Sequence, residues 1–161
     1  MKKILLIFAI SISSLGFSQI TKDVGSFNKV SVYDRISVEL IPSSENKVEI
    51  SGDRQNDVEL VNKNGNLKVK MKLKKLLDGE EVQAKVYFTD LNSIDLSEGS
   101  FVTSDEVIKV GIFEINTKEG AEVRLKLDTD KASIRAVTGA KVKVSGTSRI
   151  LTLTSGTGGV I

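Results

Sequence analysis

Carboxylates are the side chains best placed to do chemistry in this 161-residue sequence, because it contains no His and no Cys. The candidate pairs are Asp95 with Glu98, Asp105 with Glu106, and Asp128 with Asp130. Paired carboxylates are what glycoside hydrolysis requires. Without His or Cys there is no Ser-His-Asp triad, no Cys nucleophile with a His base and no zinc site of the usual ligands. Asp128-Thr129-Asp130, followed by Lys131, reads better as a solvated polar turn between strands. Nothing there supplies the roughly six to eight oxygens of a dedicated calcium site. No catalytic residue, metal or cofactor is expected, and the chain is read as not an enzyme.

Charge offers a second chemistry. Lys68, Lys70, Lys72 and Lys74 alternate with Leu67, Val69, Met71 and Leu73, which on a strand would set the ammonium groups about 7 Å apart along one face. Such a line could hold a sulfated, phosphorylated or uronic polymer by salt-sensitive attraction. The alternative is an edge strand whose lysines guard against aggregation. Single-stranded nucleic acid is not an expected partner, since aromatic residues do not interleave with the lysines.

The elements that must position these side chains repeat. Four segments share an apolar residue, a Gly five positions later and a small residue after it. They run Ile94 to Gly99-Ser100, Ile115 to Gly120-Ala121, Ile134 to Gly139-Ala140 and Leu151 to Gly156-Thr157. The glycines are 21, 19 and 17 residues apart (120−99, 139−120, 156−139). A period near twenty with strand-like alternation predicts stacked β-coils, with Gly99, Gly120, Gly139 and Gly156 at the corners. Ile94 and Leu96, Ile115 and Thr117, Ile134 and Ala136, and Leu151 and Leu153 would face inward. Asp95, Asn116, Arg135 and Thr152 would form an outward polar column.

Strands are also predicted in the first half, at Val30 and Val32, Ile36 to Leu40, Val48 to Ile50 and Val58 to Leu60, with a tight hairpin at Asn64-Gly65. This half reads as a hairpin-rich β-cap or as the first coils. An antiparallel sandwich or barrel is the rival architecture, but it does not require the repeats to keep step. The fold class is therefore all-β, with solenoid-like coils in the C-terminal half.

Residues 1–18 carry Lys2 and Lys3, the apolar run Ile4 to Ile12, and Gly16 and Ser18 before Gln19. This predicts a signal peptide followed by a single domain over 19–161, with export to the periplasm, outer surface or medium. No integral membrane segment is expected after cleavage, and no Cys follows the cut to carry a lipid. Removing the two lysines leaves 21 basic (23−2) against 21 acidic residues. The slight basicity of the whole chain belongs to the leader.

Phe27-Asn28-Lys29-Val30-Ser31-Val32, Ile36-Ser37-Val38-Glu39-Leu40, Val48-Glu49-Ile50-Ser51-Gly52 and Asn64-Gly65-Asn66-Leu67-Lys68-Val69 resemble the opening strands of a bacterial family, the auto-transporter adhesin head GIN domains. Gly99-Ser100, Gly120-Ala121 and Gly139-Ala140 resemble its later corners. The resemblance implies a right-handed β-helix-like fold, export and an adhesive role, and it implies no catalytic residues. Members usually continue through more coils, whereas this sequence stops at Ile161 just after a corner; it reads as a short form with an uncapped edge or as a truncated chain. The expected function is an interaction module meeting a polysaccharide or an envelope or surface protein. The alternatives are a carbohydrate-active enzyme using Asp128 and Asp130, and an assembly module that self-associates through its C-terminal coil.

Overall fold

Alternation of Val, Ile and Leu with polar residues lets each segment bury one side of an extended chain while the other stays wet. The computed structural model describes residues 19–161; the predicted signal peptide, 1–18, lies outside the described residues. Eleven strands form: β1 (Ile20–Asp23), β2 (Lys29–Val32), β3 (Ser37–Pro42), β4 (Lys47–Ser51), β5 (Val58–Lys63), β6 (Asn66–Met71), β7 (Gln83–Phe88), β8 (Ser93–Leu96), β9 (Phe101–Thr117), β10 (Glu122–Val137) and β11 (Lys141–Gly156). Among the described residues the helical elements are two 3₁₀ turns, Gln55–Asp57 and Leu73–Lys75, and no helix is long and apolar enough to cross a membrane.

All strands belong to one curled, mixed sheet. Its main path is β1-β4-β7-β3-β9-β8-β2-β6-β5, with β10 against β9 and β11 against β10. The curl is visible in β9, whose Phe101–Thr103 pairs with β3 while its Glu114–Thr117 pairs with β8, both in parallel. β10 follows β9 in parallel along most of its length, and β11 follows β10 in turn. Residues on the inner side, such as Val30, Leu67, Ile94, Ile115 and Ile134 from one limb and Val38, Val86, Val102 and Val123 from the other, form one buried core. Antiparallel pairing is confined to β1–β4, β4–β7 and the β5–β6 hairpin. The hairpin turns at Asn64-Gly65 with φ of 53° and 76°, as that dipeptide predicts.

The turns align. Glu98-Gly99, Glu119-Gly120, Thr138-Gly139 and Thr157-Gly158 all have positive φ at both residues. Neighbouring turns are joined by N–H donation from Gly99 to Glu119 O (2.9 Å), Gly120 to Thr138 O (3.1 Å) and Gly139 to Thr157 O (3.1 Å). Gly99, Gly120 and Gly139 thus stand at the expected corners. Gly156 does not: it closes β11, and Gly158 makes the turn, because Leu153 rather than Leu151 lies beside Ile134. The steps are 21, 19 and 19 (120−99, 139−120, 158−139). A fifth turn without glycine continues the stack, where Asp34 and Arg35 take φ of 58° and 62° and Arg35 donates its N–H to Glu98 O at 3.0 Å.

Three expectations about side chains need correction. Leu151 and Leu153 have the parity of the buried Ala132 and Ile134 but are 55% and 53% exposed, because among the described residues no strand covers the flank of β11 away from β10, where only Val160 bridges Lys141. Leu73 is not the last inward residue of a strand; β6 ends at Met71 and Leu73 is 83% exposed. Asp128-Thr129-Asp130 is not a loop between strands but lies within β10, with Thr129 turned inward.

Candidate functional site

Parity puts every second side chain of a strand on the outer surface, and parallel register lines these up across neighbouring strands about 4.8 Å apart. One row runs Lys68, Ser31, Asp95, Asn116, Arg135, Thr154 through β6, β2, β8, β9, β10 and β11. Five spacings make it about 24 Å long. Beside it runs Asn66, Lys29, Ser93, Glu114, Ser133, Thr152. Asp95, Asn116 and Arg135 therefore share a column as expected. Thr152 belongs to the adjacent row, and Thr154 completes theirs, by the same two-residue shift that moved the last corner.

The structure also joins two features that the sequence left separate. Lys68 stands at the end of the polar row, and β6 is not an edge strand, since it lies between β2 and β5. The four lysines nevertheless do not make one line. Lys70 pairs with Glu59 at 3.2 Å, and Lys72 lies beyond the strand with its ammonium donating to Asn56 O at 2.7 Å. Lys74 sits in the Leu73–Lys75 turn.

Residues that the sequence reading passed over hold the row in shape. Lys29 Nζ lies 3.1 Å from Asp95 Oδ2, and the buried Ser31 hydroxyl donates to Asn66 Oδ1 at 2.9 Å. The signal for Lys29 and Ser31 was present, because they alternate with the inward Val30 and Val32. What the sequence hid was that β2 neighbours β8.

The carboxylate pairs do not converge on a shared site. Asp128 accepts from the Thr147 hydroxyl at 2.7 Å, Asp130 lies 3.9 Å from Arg149 with both side chains well exposed, and Glu98 accepts the Asp34 N–H at 3.2 Å. Among the described residues no cluster of three or more His, Cys, Asp or Glu side chains could hold a metal ion.

On the other limb, a groove of about 470 Å³ is lined by residues including Gln19, Glu39, Glu49, Lys85, Phe101 and Asp105. Burial pushes the Glu49 carboxyl upward, but donation from the Tyr87 hydroxyl (2.9 Å), the Lys47 ammonium and Gln19 outweighs it and leaves the group below its ordinary range. Burial and then the bond to Glu49 push the Tyr87 phenol up. Glu39 is within 3.7 Å of Lys85. Glu49 is held ionised by its neighbours, the opposite of what a general acid needs.

Solved structures share this fold. A putative adhesin from Bacteroides fragilis NCTC 9343 is similar over 91% of this chain and 97% of its own, with a TM-score of 0.68 and 14% identity. A putative adhesin from Parabacteroides distasonis ATCC 8503 matches over 81% of this chain and 66% of its own, with a TM-score of 0.61 and 16% identity. A putative lipid binding protein from the same organism matches over 81% and 67%, with a TM-score of 0.57 and 13% identity. No curated protein is significantly similar in sequence. Residues 26–161 match the family model described as "Putative auto-transporter adhesin, head GIN domain", and the chain belongs to that family.

Proposed function

We propose that this chain is an exported, non-enzymatic interaction module of the cell surface or envelope, an adhesin that meets an extended polysaccharide or a surface protein through the polar row. The observation that carries this reading is the in-register row from Lys68 to Thr154 across six strands, open to solvent at every position except the buried Ser31. Family membership supports the adhesive role. Under this reading the curled sheet works as a right-handed β-solenoid. The parallel stacking of β8 to β11 with recurring turns supports a solenoid, and the handedness comes from the family resemblance. A row of weak contacts on a stiff sheet gains affinity by avidity when the ligand repeats.

Binding of immobilised envelope polysaccharides and surface-protein extracts tests the proposal, with Asn116→Ala and Arg135→Ala as the diagnostic changes. Retention that both variants abolish, with folding intact, supports it; retention that neither alters overturns the row as the site. Release of reducing ends from a polysaccharide panel, lost in Asp128→Asn, would instead favour the enzyme reading.

A second reading rests on β11, whose outer flank among the described residues is covered only at its start, where Val160 bridges Lys141, and which exposes Leu151 and Leu153. An open strand edge beside uncovered apolar side chains is a template for self-association. Sedimentation over a range of concentrations tests it, and a strictly monomeric chain removes it.

A further inference from the structure

The segment between β6 and β7 carries Lys72, Leu73, Lys74, Lys75, Leu76 and Leu77 outward. Leu73 is 83%, Leu76 51% and Leu77 45% exposed. Single exposed leucines are ordinary, but three within five residues, interleaved with lysines, are not.

This protrusion is held in place. The carboxylate of Asp34, itself buried, accepts the N–H of Met71 at 2.9 Å and of Leu77 at 3.0 Å, so one side chain clamps both ends of the segment. The Asp34 carbonyl also accepts the Gly79 N–H at 3.0 Å, and Lys72 donates its N–H to Asp57 O at 2.8 Å. Leu77 is held at a φ of 63°, a conformation costly for its side chain. Residues 72–77 hold three lysines and no acid; of the acids that follow, Asp78 is paired with Arg54 at 2.8 Å and Glu80 with Arg35, and Glu81 is exposed beyond the tip.

We propose that residues 72–77 form an interfacial anchor that seats Leu73 and Leu76 in the surface of an anionic lipid bilayer. Leucines on a convex tip can enter the boundary between headgroups and acyl chains, while Lys74 and Lys75 extend back to anionic headgroups and the Lys72 ammonium stays on Asn56 O. A protein partner fits less well, because a tip of six residues offers far less than the roughly 800 Å² per side of a specific interface. The argument is independent of the polar row.

Vesicle co-sedimentation tests the proposal, using residues 19–161 so that the apolar run Ile4 to Ile12 does not enter the bilayer itself. Phosphatidylcholine vesicles are compared with vesicles containing about one third phosphatidylglycerol. Binding is expected to the anionic vesicles and to fall when salt rises from about 0.1 M to about 1 M. Leu73→Ser and Leu76→Ser should each weaken it about tenfold, and Lys74→Gln and Lys75→Gln about fivefold each. All four sites are exposed, so unfolding curves should not move. Leu151→Ser, in a separate exposed apolar region on β11, should leave binding unchanged. Absence of binding, equal binding to both vesicle types, or loss that follows Leu151→Ser instead of the loop variants overturns the proposal.

Discussion

Lys29 Nζ and Asp95 Oδ2 lie 3.1 Å apart although 66 residues separate them in the chain, and their contact ties β2 to β8 at the middle of the polar row. Each side chain is about one third exposed, at 32% and 36%. Lys29→Ala should therefore cost less than about 1 kcal/mol in urea unfolding, and the difference should shrink at high salt. A larger, salt-independent loss would mean that the lysine stem, not its charge, supports the sheet.

Removing the Asp34 carboxylate should be more damaging. Asp34→Ala leaves the Met71 and Leu77 N–H groups without their acceptor, one of them fully buried. A loss of about 2–4 kcal/mol is expected in denaturant unfolding. Asp34→Asn, which keeps one acceptor oxygen, should fall between.

Core and edge should separate sharply. Ile115 is 1% exposed and Leu153 53%. Ile115→Ala should cost about 2–5 kcal/mol, while Leu153→Ala should stay within about 1 kcal/mol, both read from unfolding midpoints.

Two glycine substitutions distinguish backbone preference from steric exclusion. At Gly120 a Cβ meets no atom within 4 Å, so Gly120→Ala carries only the cost of its positive φ, about 1–2 kcal/mol. At Gly146 a Cβ would lie 1.9 Å from Leu127 O in the neighbouring strand. Gly146→Ala must displace β11 from β10, and calorimetry should show a clearly greater loss than for Gly120→Ala.

The bond between Glu49 and Tyr87 predicts opposite effects at the two ends of the pH range. Glu49 is depressed below its ordinary 4.5, so its contribution is present above that value and is lost as pH falls through the folded-state pKa. Tyr87 is raised above its ordinary 10.0, so its contribution is present below that value and is lost as pH rises through the folded-state pKa. The stability difference between the native chain and Tyr87→Phe, followed by unfolding from neutral pH in both directions, should narrow at each end.

Which residues are buried was legible from alternation, as at Ile94, Leu96, Ile115 and Ile134. Which strands are neighbours was not. β2 sits between β6 and β8, and the chain passes to one side of it before returning to the other; nothing within a strand records that crossing. The final corner misled because Gly156, Gly158 and Gly159 are all available, and both Leu151 and Leu153 satisfy the apolar position before it. Only pairing against β10 selects the frame. The Asp34-Arg35 turn was invisible to a search for glycine. Leu73 extended an unbroken alternation, but a distant carboxylate, captured by Met71 and Leu77, turns the chain out of the sheet there.

Val30 borders Leu67 on one flank and Ile94 on the other, partners that lie 37 and 64 residues later in the chain (67−30, 94−30). A polypeptide delivered amino end first therefore presents its second strand long before either neighbour exists. Closing such wide loops before any contact repays them makes assembly slow. Until β8 arrives, the opening segments form an unfinished surface, and the period between delivery and completion is when this protein has most need of a chaperone.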